Sequence, residues 1–108
     1  MRTIMFDDEI GKIVSRITRD FETKAVIFFG PALNDDSVPK DHLSIAVVID
    51  TSLNLKQRGL AVRRSIGNTD IPIELLVFTP EEAESQKRIP WSMVNDILSS
   101  GKVVYGSI

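Results

Sequence analysis

Two polar side chains capable of acid–base or ligand chemistry open one apolar segment of the chain. His42 and Ser44 stand two positions apart at the start of the run from His42 to Asp50, where polar and apolar residues alternate. Residues two apart on a β-strand point to the same face of the sheet. The pattern therefore predicts that the His42 imidazole and the Ser44 hydroxyl share one face, with Leu43 and Ile45 on the other.

His42 is the only histidine, and two roles are open to it. An unperturbed imidazole titrates near pH 6.5, so His42 could transfer a proton or act as a lone metal ligand. A zinc site requires further ligands at metal-binding spacing, and none accompanies His42. The alternative is a histidine at a strand start that hydrogen-bonds to the neighbouring loop. The chain has no cysteine, which excludes thiol catalysis, disulfides and cysteine-ligated zinc.

Glu74 is the single charge inside the apolar segment 71–79. Because burying an unpaired charge is costly, this side chain must face solvent, a cleft or a partner. Glu74 lies either on the open face of a sheet that is covered on one side, or in a cleft that faces His42. In the second case, a Glu–His pair would raise the pKa of the histidine.

Other charged residues have simpler explanations. Arg58, Arg63 and Arg64 could contact phosphate, but three basic residues on a helix are more typical of a solvated face. Asp35 and Asp36 could supply acids to a cation, but they lie in a turn-rich loop where a turn explains them.

Apolar runs predict the strands that position these residues. Three short, almost wholly apolar runs indicate strands at 24–30, 42–50 and 71–79. The polar, turn-rich residues 31–41 between the first two strands predict a loop. Pro72 places the start of the third strand at a sheet edge or a bulge, because proline cannot donate to the strand ladder.

The remaining segments are predicted to be mostly helical. An apolar stripe at spacings of three and four indicates a helix over residues 7–22, and Asp7 and Asp8 suit its start. The sequence Thr79-Pro80 is typical of an N-cap followed by proline at the first helical position. The other predicted elements are a helix from Thr51 or Ser52 to Ile66, one from Thr79 to Arg88, one from Trp91 to Ser99 that Gly101 ends, and a short strand or extended tail from Lys102.

These elements predict one two-layer α/β (α+β) domain, residues 1–108, with a mixed sheet of three to four strands flanked by helices. With 43% apolar and 26% charged residues, the composition is that of a globular domain. Because the net charge is −2, we do not expect the chain to bind nucleic acid. No apolar run reaches the roughly 20 residues that span a bilayer, and the start lacks a signal-peptide pattern. We therefore expect no membrane association and a cytoplasmic location.

The segment 26–50 resembles the signature of the minimal nucleotidyltransferases, small relatives of the polymerase-beta superfamily. In that family a strand ends in Gly-Ser, and after a loop the next strand opens with Asp-x-Asp; a third acid lies in a later strand. Here Gly30 is in place, and the loop length agrees without a gap. The segments 71–82 and 96–105 resemble the family's third strand with its following helix and the family's closing segment. The resemblance therefore covers most of the chain.

The chain departs from the family at the residues that carry out the family's reaction. The serine after Gly30 is replaced by Pro31, the two aspartate positions hold His42 and Ser44, and the third acid is Glu74. The family reaction uses two magnesium ions held by three carboxylates, and magnesium prefers oxygen ligands. A histidine nitrogen suits zinc, copper or nickel better, and a proline offers phosphate neither an N–H nor a hydroxyl. We therefore expect no competent catalytic residues, no metal site, no cofactor and a degenerate phosphate turn at Gly30-Pro31.

The resemblance implies a catalytically inactive nucleotidyltransferase-fold module that binds or regulates. Minimal nucleotidyltransferases often act beside a small helical partner of the HEPN type in antitoxin-like systems, so such a partner is implied here. A homodimer is the other arrangement that we consider, because a small sheet leaves an unpaired edge strand that a second copy could cover. There are two alternatives. One is an active magnesium-dependent enzyme, whose site uses Glu74 with Asp41 or Asp50 or is completed by a partner's acids. The other is a sensor that binds a nucleotide without turnover.

Overall fold

A computed structural model describes residues 2–30, 43–69 and 72–107 of the chain. The described residues form four helices and a four-stranded sheet, which confirms the α/β class. In chain order the elements are α1 (Arg2–Asp20), β1 (Thr23–Phe29), β2 (Leu43–Ile49), α2 (Leu55–Ile66), β3 (Ile73–Phe78), α3 (Pro80–Lys87), α4 (Met93–Ser100) and β4 (Lys102–Gly106). None of the helices in these ranges is both long and apolar enough to cross a membrane.

The sheet is mixed, with strand order β3-β2-β1-β4. β1 pairs antiparallel with β2 and β4, whereas β2 pairs parallel with β3, so the predicted mixed sheet is confirmed. Parallel neighbours need a crossover connection, which α2 supplies. β3 lies at an edge, as Pro72 predicted, and the Pro72 carbonyl accepts a hydrogen bond from the Leu43 N–H at 2.9 Å.

β2 is central, and all of its residues are buried because helices pack on both sides of it. The odd-numbered residues face α1 and α2, and the even-numbered apolar ones face α3 and α4, which follows from strand alternation. The main core joins Leu43, Ile45, Val47 and Ile49 to Ile13 and Ile17 of α1 and to Val62 and Ile66 of α2. On the other face, Ala46 packs with Ile97 and Val48 packs with Ala83. Ser44 therefore lies on the face opposite Leu43, as predicted.

The starts of α1 and α2 differ from the sequence prediction. α1 begins at Arg2 and not at Asp7, because the preference of acidic residues for a first turn is worth only about 0.3–1 kcal/mol and does not fix a boundary. α2 is capped by Asn54 and not by Thr51 or Ser52: the Asn54 side chain accepts a hydrogen bond from the Gln57 N–H, and Gln57 completes a capping box. Thr51 instead accepts from the Leu53 N–H at 3.1 Å, in the turn before the helix.

The later helix ends follow their sequence signals more closely. Thr79 caps α3, with Pro80 at the first helical position, as predicted. α4 begins at Met93, two residues after the predicted Trp91, because the Ser92 hydroxyl caps it by accepting a hydrogen bond from the Asn95 N–H. Gly101 ends α4, as predicted, and leads directly into β4.

Gly101 occupies a position with no room for a side chain. Its N–H donates to the Ile97 carbonyl at 2.7 Å, and a Cβ atom there would lie 2.9 Å from the Phe28 carbonyl oxygen, on rigid backbone. We expect Gly101→Ala to lower the free energy of unfolding by about 2 kcal/mol or more, because α4 or β4 must shift. Urea unfolding measures this loss.

The matched control is Gly11→Ala in α1, where an added Cβ meets nothing within 4 Å. This variant should be stabilised by about 0.5–1 kcal/mol, the helix-propensity difference between the two residues. Equal unfolding midpoints for both variants would contradict the close approach at Gly101.

Candidate functional site

Ser44 and Glu74 lie side by side because β2 and β3 run parallel with these two residues in register. The Ser44 hydroxyl donates a hydrogen bond to Oε1 of Glu74 at 2.8 Å. Ser44 is 5% exposed, whereas Glu74 is exposed. The pair therefore presents one carboxylate to solvent, with a hydroxyl group beneath it.

Gly30 completes this cluster from the end of β1. Its neighbour Phe29 pairs with Ser44 across the antiparallel strands, and a Cβ atom on Gly30 would lie 3.3 Å from Oγ of Ser44. Gly30 has a φ of +110°, a conformation that glycine adopts without strain.

The resemblance to nucleotidyltransferases places five residues at one site: Gly30, Pro31, His42, Ser44 and Glu74. The structure brings three of them together, namely Gly30, Ser44 and Glu74. His42 and Pro31 lie outside the described residues, as do Asp35, Asp36 and Asp41. The proposed meeting of His42 with Glu74 therefore stays a prediction. Within the described ranges, no three histidine, aspartate or glutamate side chains are grouped closely enough to hold a metal ion.

The chemistry available to the described part of this cluster is limited. Magnesium requires several oxygen ligands in octahedral geometry, usually with carboxylates among them. Glu74 supplies one carboxylate, and the Ser44 hydroxyl directs its proton to that carboxylate. The pair can accept and donate hydrogen bonds to a ligand at the sheet edge. It lacks the charge needed to hold two divalent cations.

A second polar cluster, which the sequence patterns did not predict, lies at the other end of the parallel strands. Arg58 is buried, not solvated as predicted, and its Nη2 donates to both carboxylate oxygens of Glu82, at 2.8 and 2.9 Å. Arg63 and Arg64 are exposed, so the three arginines do not form one patch. The missed signal is spacing, because Arg58 precedes the buried Val62 by four positions and shares its helix face.

Glu82 links this arginine to the start of α3. Its Oε1 also accepts a hydrogen bond from the Thr79 N–H at 3.1 Å, as part of the capping box. Partial burial opposes ionisation of the Glu82 carboxyl, but the hydrogen bonds from Arg58 and Thr79 outweigh it and hold the Glu82 pKa below its usual value. Glu82 is therefore an anion at neutral pH and balances the Arg58 charge.

The comparisons with known proteins add no relative to this picture. No protein-family model matches the chain, and searches of curated proteins and of solved structures give no match either. The link to nucleotidyltransferases therefore rests on the sequence resemblance.

Proposed function

We propose that this chain is a catalytically inactive nucleotidyltransferase-fold domain that works as a binding or regulatory module. The observation that supports the proposal is the Ser44–Glu74 pair. At the positions where the resembling family places two of its three acids, this chain has one carboxylate and one neutral hydroxyl. The resemblance indicates which positions hold acidic residues in the family. The parallel register of β2 and β3 explains why Ser44 and Glu74 lie side by side.

The proposal follows from what the family reaction demands. Two-metal phosphoryl chemistry needs ions that activate the attacking oxygen and stabilise the leaving oxygen. Ser44 offers a neutral oxygen where an aspartate would bridge the ions, and its proton already points to Glu74. By sequence, Pro31 lacks the N–H and the hydroxyl with which a serine would contact phosphate. Metal binding and phosphate binding are therefore weakened together.

The partner in this proposal is a small helical protein of the HEPN type, as the resemblance implies. A second copy of the chain is the alternative. Co-purification with a helical protein encoded beside this gene would support the first, and a dimer of the isolated chain by light scattering would support the second.

The isolated protein should bind ATP with magnesium weakly or not at all. Calorimetry should give no Kd as tight as 1–10 μM, which corresponds to about −7 to −8 kcal/mol. In the same samples, labelled ATP with magnesium or manganese and a candidate acceptor should show no transfer. Turnover would instead support the enzyme alternative, and saturable binding without turnover would support the nucleotide sensor.

A further inference from the structure

β4 forms one edge of the sheet, and its outer side has no partner strand among the described residues. Its inner side pairs with β1 in an antiparallel register that runs from Lys102 to Gly106. An edge strand presents unpaired N–H and C=O groups to which a further strand can bind. Because β4 lies at the opposite edge from β3 and its Glu74, an inference from β4 does not rest on the proposed function.

The other edge strand, β3, is less suited to pairing. Glu74 places an exposed charge within it, and the Ile73 carbonyl already accepts a hydrogen bond from Nη2 of Arg63 at 3.2 Å. Charged side chains and covered backbone groups discourage edge-to-edge association. β4 is therefore the edge at which an added strand meets less opposition.

The side chains of β4 suit a strand that has neighbours on both sides. Val103 is 43% exposed and Tyr105 is 40% exposed. β-Branched and aromatic side chains stabilise a sheet through contacts with cross-strand neighbours. Val104, between them, has no residue opposite it in β1, because the register shifts there. The extra residue of such a bulge is left unpaired, so the middle of β4 lacks part of its ladder of hydrogen bonds.

The sequence of β4 is complementary to itself in one antiparallel register. When two copies pair about a two-fold axis at Val104, all of the residues of both β4 strands have a partner. Val103 then lies opposite Tyr105 of the second copy, which is a favourable pairing of a β-branched with an aromatic residue. Lys102 lies opposite Gly106 of the second copy, so the two lysines stay about 13 Å apart along the strands. This register therefore avoids the repulsion of like charges that lie directly opposite each other.

We propose that a second copy of this chain pairs with β4 in this register and joins the two sheets into one. The interface of one short strand is small, and interfaces below about 1,200 Å² are typical of weak complexes. The dimer is therefore weak and reversible. The Ser44–Glu74 pairs lie towards the two outer edges of the joined sheet, so the dimer leaves them available to a separate helical partner.

Sedimentation velocity of the full chain over a range of protein concentrations tests the proposal. The wild type should shift reversibly from monomer to dimer as its concentration rises. Val103→Lys places a charge on the exposed edge and removes the contact with Tyr105, so it should weaken the dimer at least tenfold. The matched control is Leu60→Lys, at an exposed apolar residue of α2, and it should dimerise as the wild type does. A wild type that stays monomeric at millimolar concentration, or equal affinities in the two variants, would overturn the proposal.

Cysteine variants test the register, because the chain has no cysteine of its own. Residues opposite each other at the two-fold axis have Cα atoms about 4.5–5.5 Å apart, which a disulfide can span. Val104→Cys should therefore form a disulfide-linked dimer under mild oxidation. Lys102→Cys is at a more exposed position, but its two copies lie about 13 Å apart along the strands, so it should link at least tenfold more slowly. No link at position 104, or an equally fast link at position 102, would contradict the proposed pairing.

Discussion

The double variant His42→Asp/Ser44→Asp should be strongly stabilised by manganese or magnesium. An aspartate at position 44 would stand in register beside Glu74, where the native Oγ already lies 2.8 Å from Oε1. Strand alternation in the sequence predicts that position 42 shares this face. Three carboxylates at one sheet edge repel each other without a cation, so the apo variant should be less stable than the wild type.

Metal binding should then reverse the loss. An ion at one hundred times its Kd stabilises the folded state by about 2.7 kcal/mol. For a domain of this size, each kcal/mol raises Tm by about 4–8 °C, so the gain should be about 10 °C or more. Thermal melts with and without manganese measure the shift. Pro31→Ser should improve nucleotide binding only in the background that carries both aspartates, since the triphosphate arrives with its ion.

The control is His42→Asn/Ser44→Asn, which has nearly the same shape as the double aspartate variant but no added charge. It should show no manganese response, and neither should the wild type. If the wild type already gained several degrees, or the aspartate variant gained none, His42 and Ser44 would not occupy lost ligand positions. That result would also remove the main support for an inactive nucleotidyltransferase.

Glu82→Ala should be the most damaging single substitution of a polar residue in the described part of the chain. It leaves the buried Arg58 guanidinium without its anion and removes the acceptor for the Thr79 N–H. Breaking a buried ion pair on one side costs about 3–5 kcal/mol. Because the Glu82 side chain is 39% exposed, water can reach the gap, and we expect the lower end, about 3 kcal/mol. Urea unfolding measures the loss.

Two further variants separate the causes. Glu81→Ala removes an exposed acid from the same first turn and should cost under about 1 kcal/mol, the size of a helix-dipole effect. Arg58→Met combined with Glu82→Gln removes both charges and keeps the capping side chain. This pair should recover most of the loss, since apolar replacements of buried ion pairs are often neutral. A Glu82→Ala protein as stable as Glu81→Ala would show that the ion pair contributes little.

Much of the secondary structure follows from local sequence. The three apolar runs correspond to β1, β2 and β3 within one or two residues at each end, because a buried strand requires continuous apolar residues. Thr79 and Gly101 marked helix ends correctly because capping depends on neighbouring backbone groups. The start of α1 was misplaced because the acidic signal at Asp7 is a weak, local preference.

The candidate sites depended on longer-range information. Alternation along β2 was enough to predict that Ser44 faces away from Leu43, because alternation is a property of a single strand. That Ser44 meets Glu74, thirty positions later, was expected from the family resemblance and depends on the parallel register of β2 and β3. That Arg58 is buried and paired depends on Glu82, which lies twenty-four positions later in the chain. The sequence by itself determined which segments are apolar and which face the residues of β2 take, because these are local properties. Only the tertiary structure decided which polar groups meet, because pairing and burial are set by segments distant in the chain.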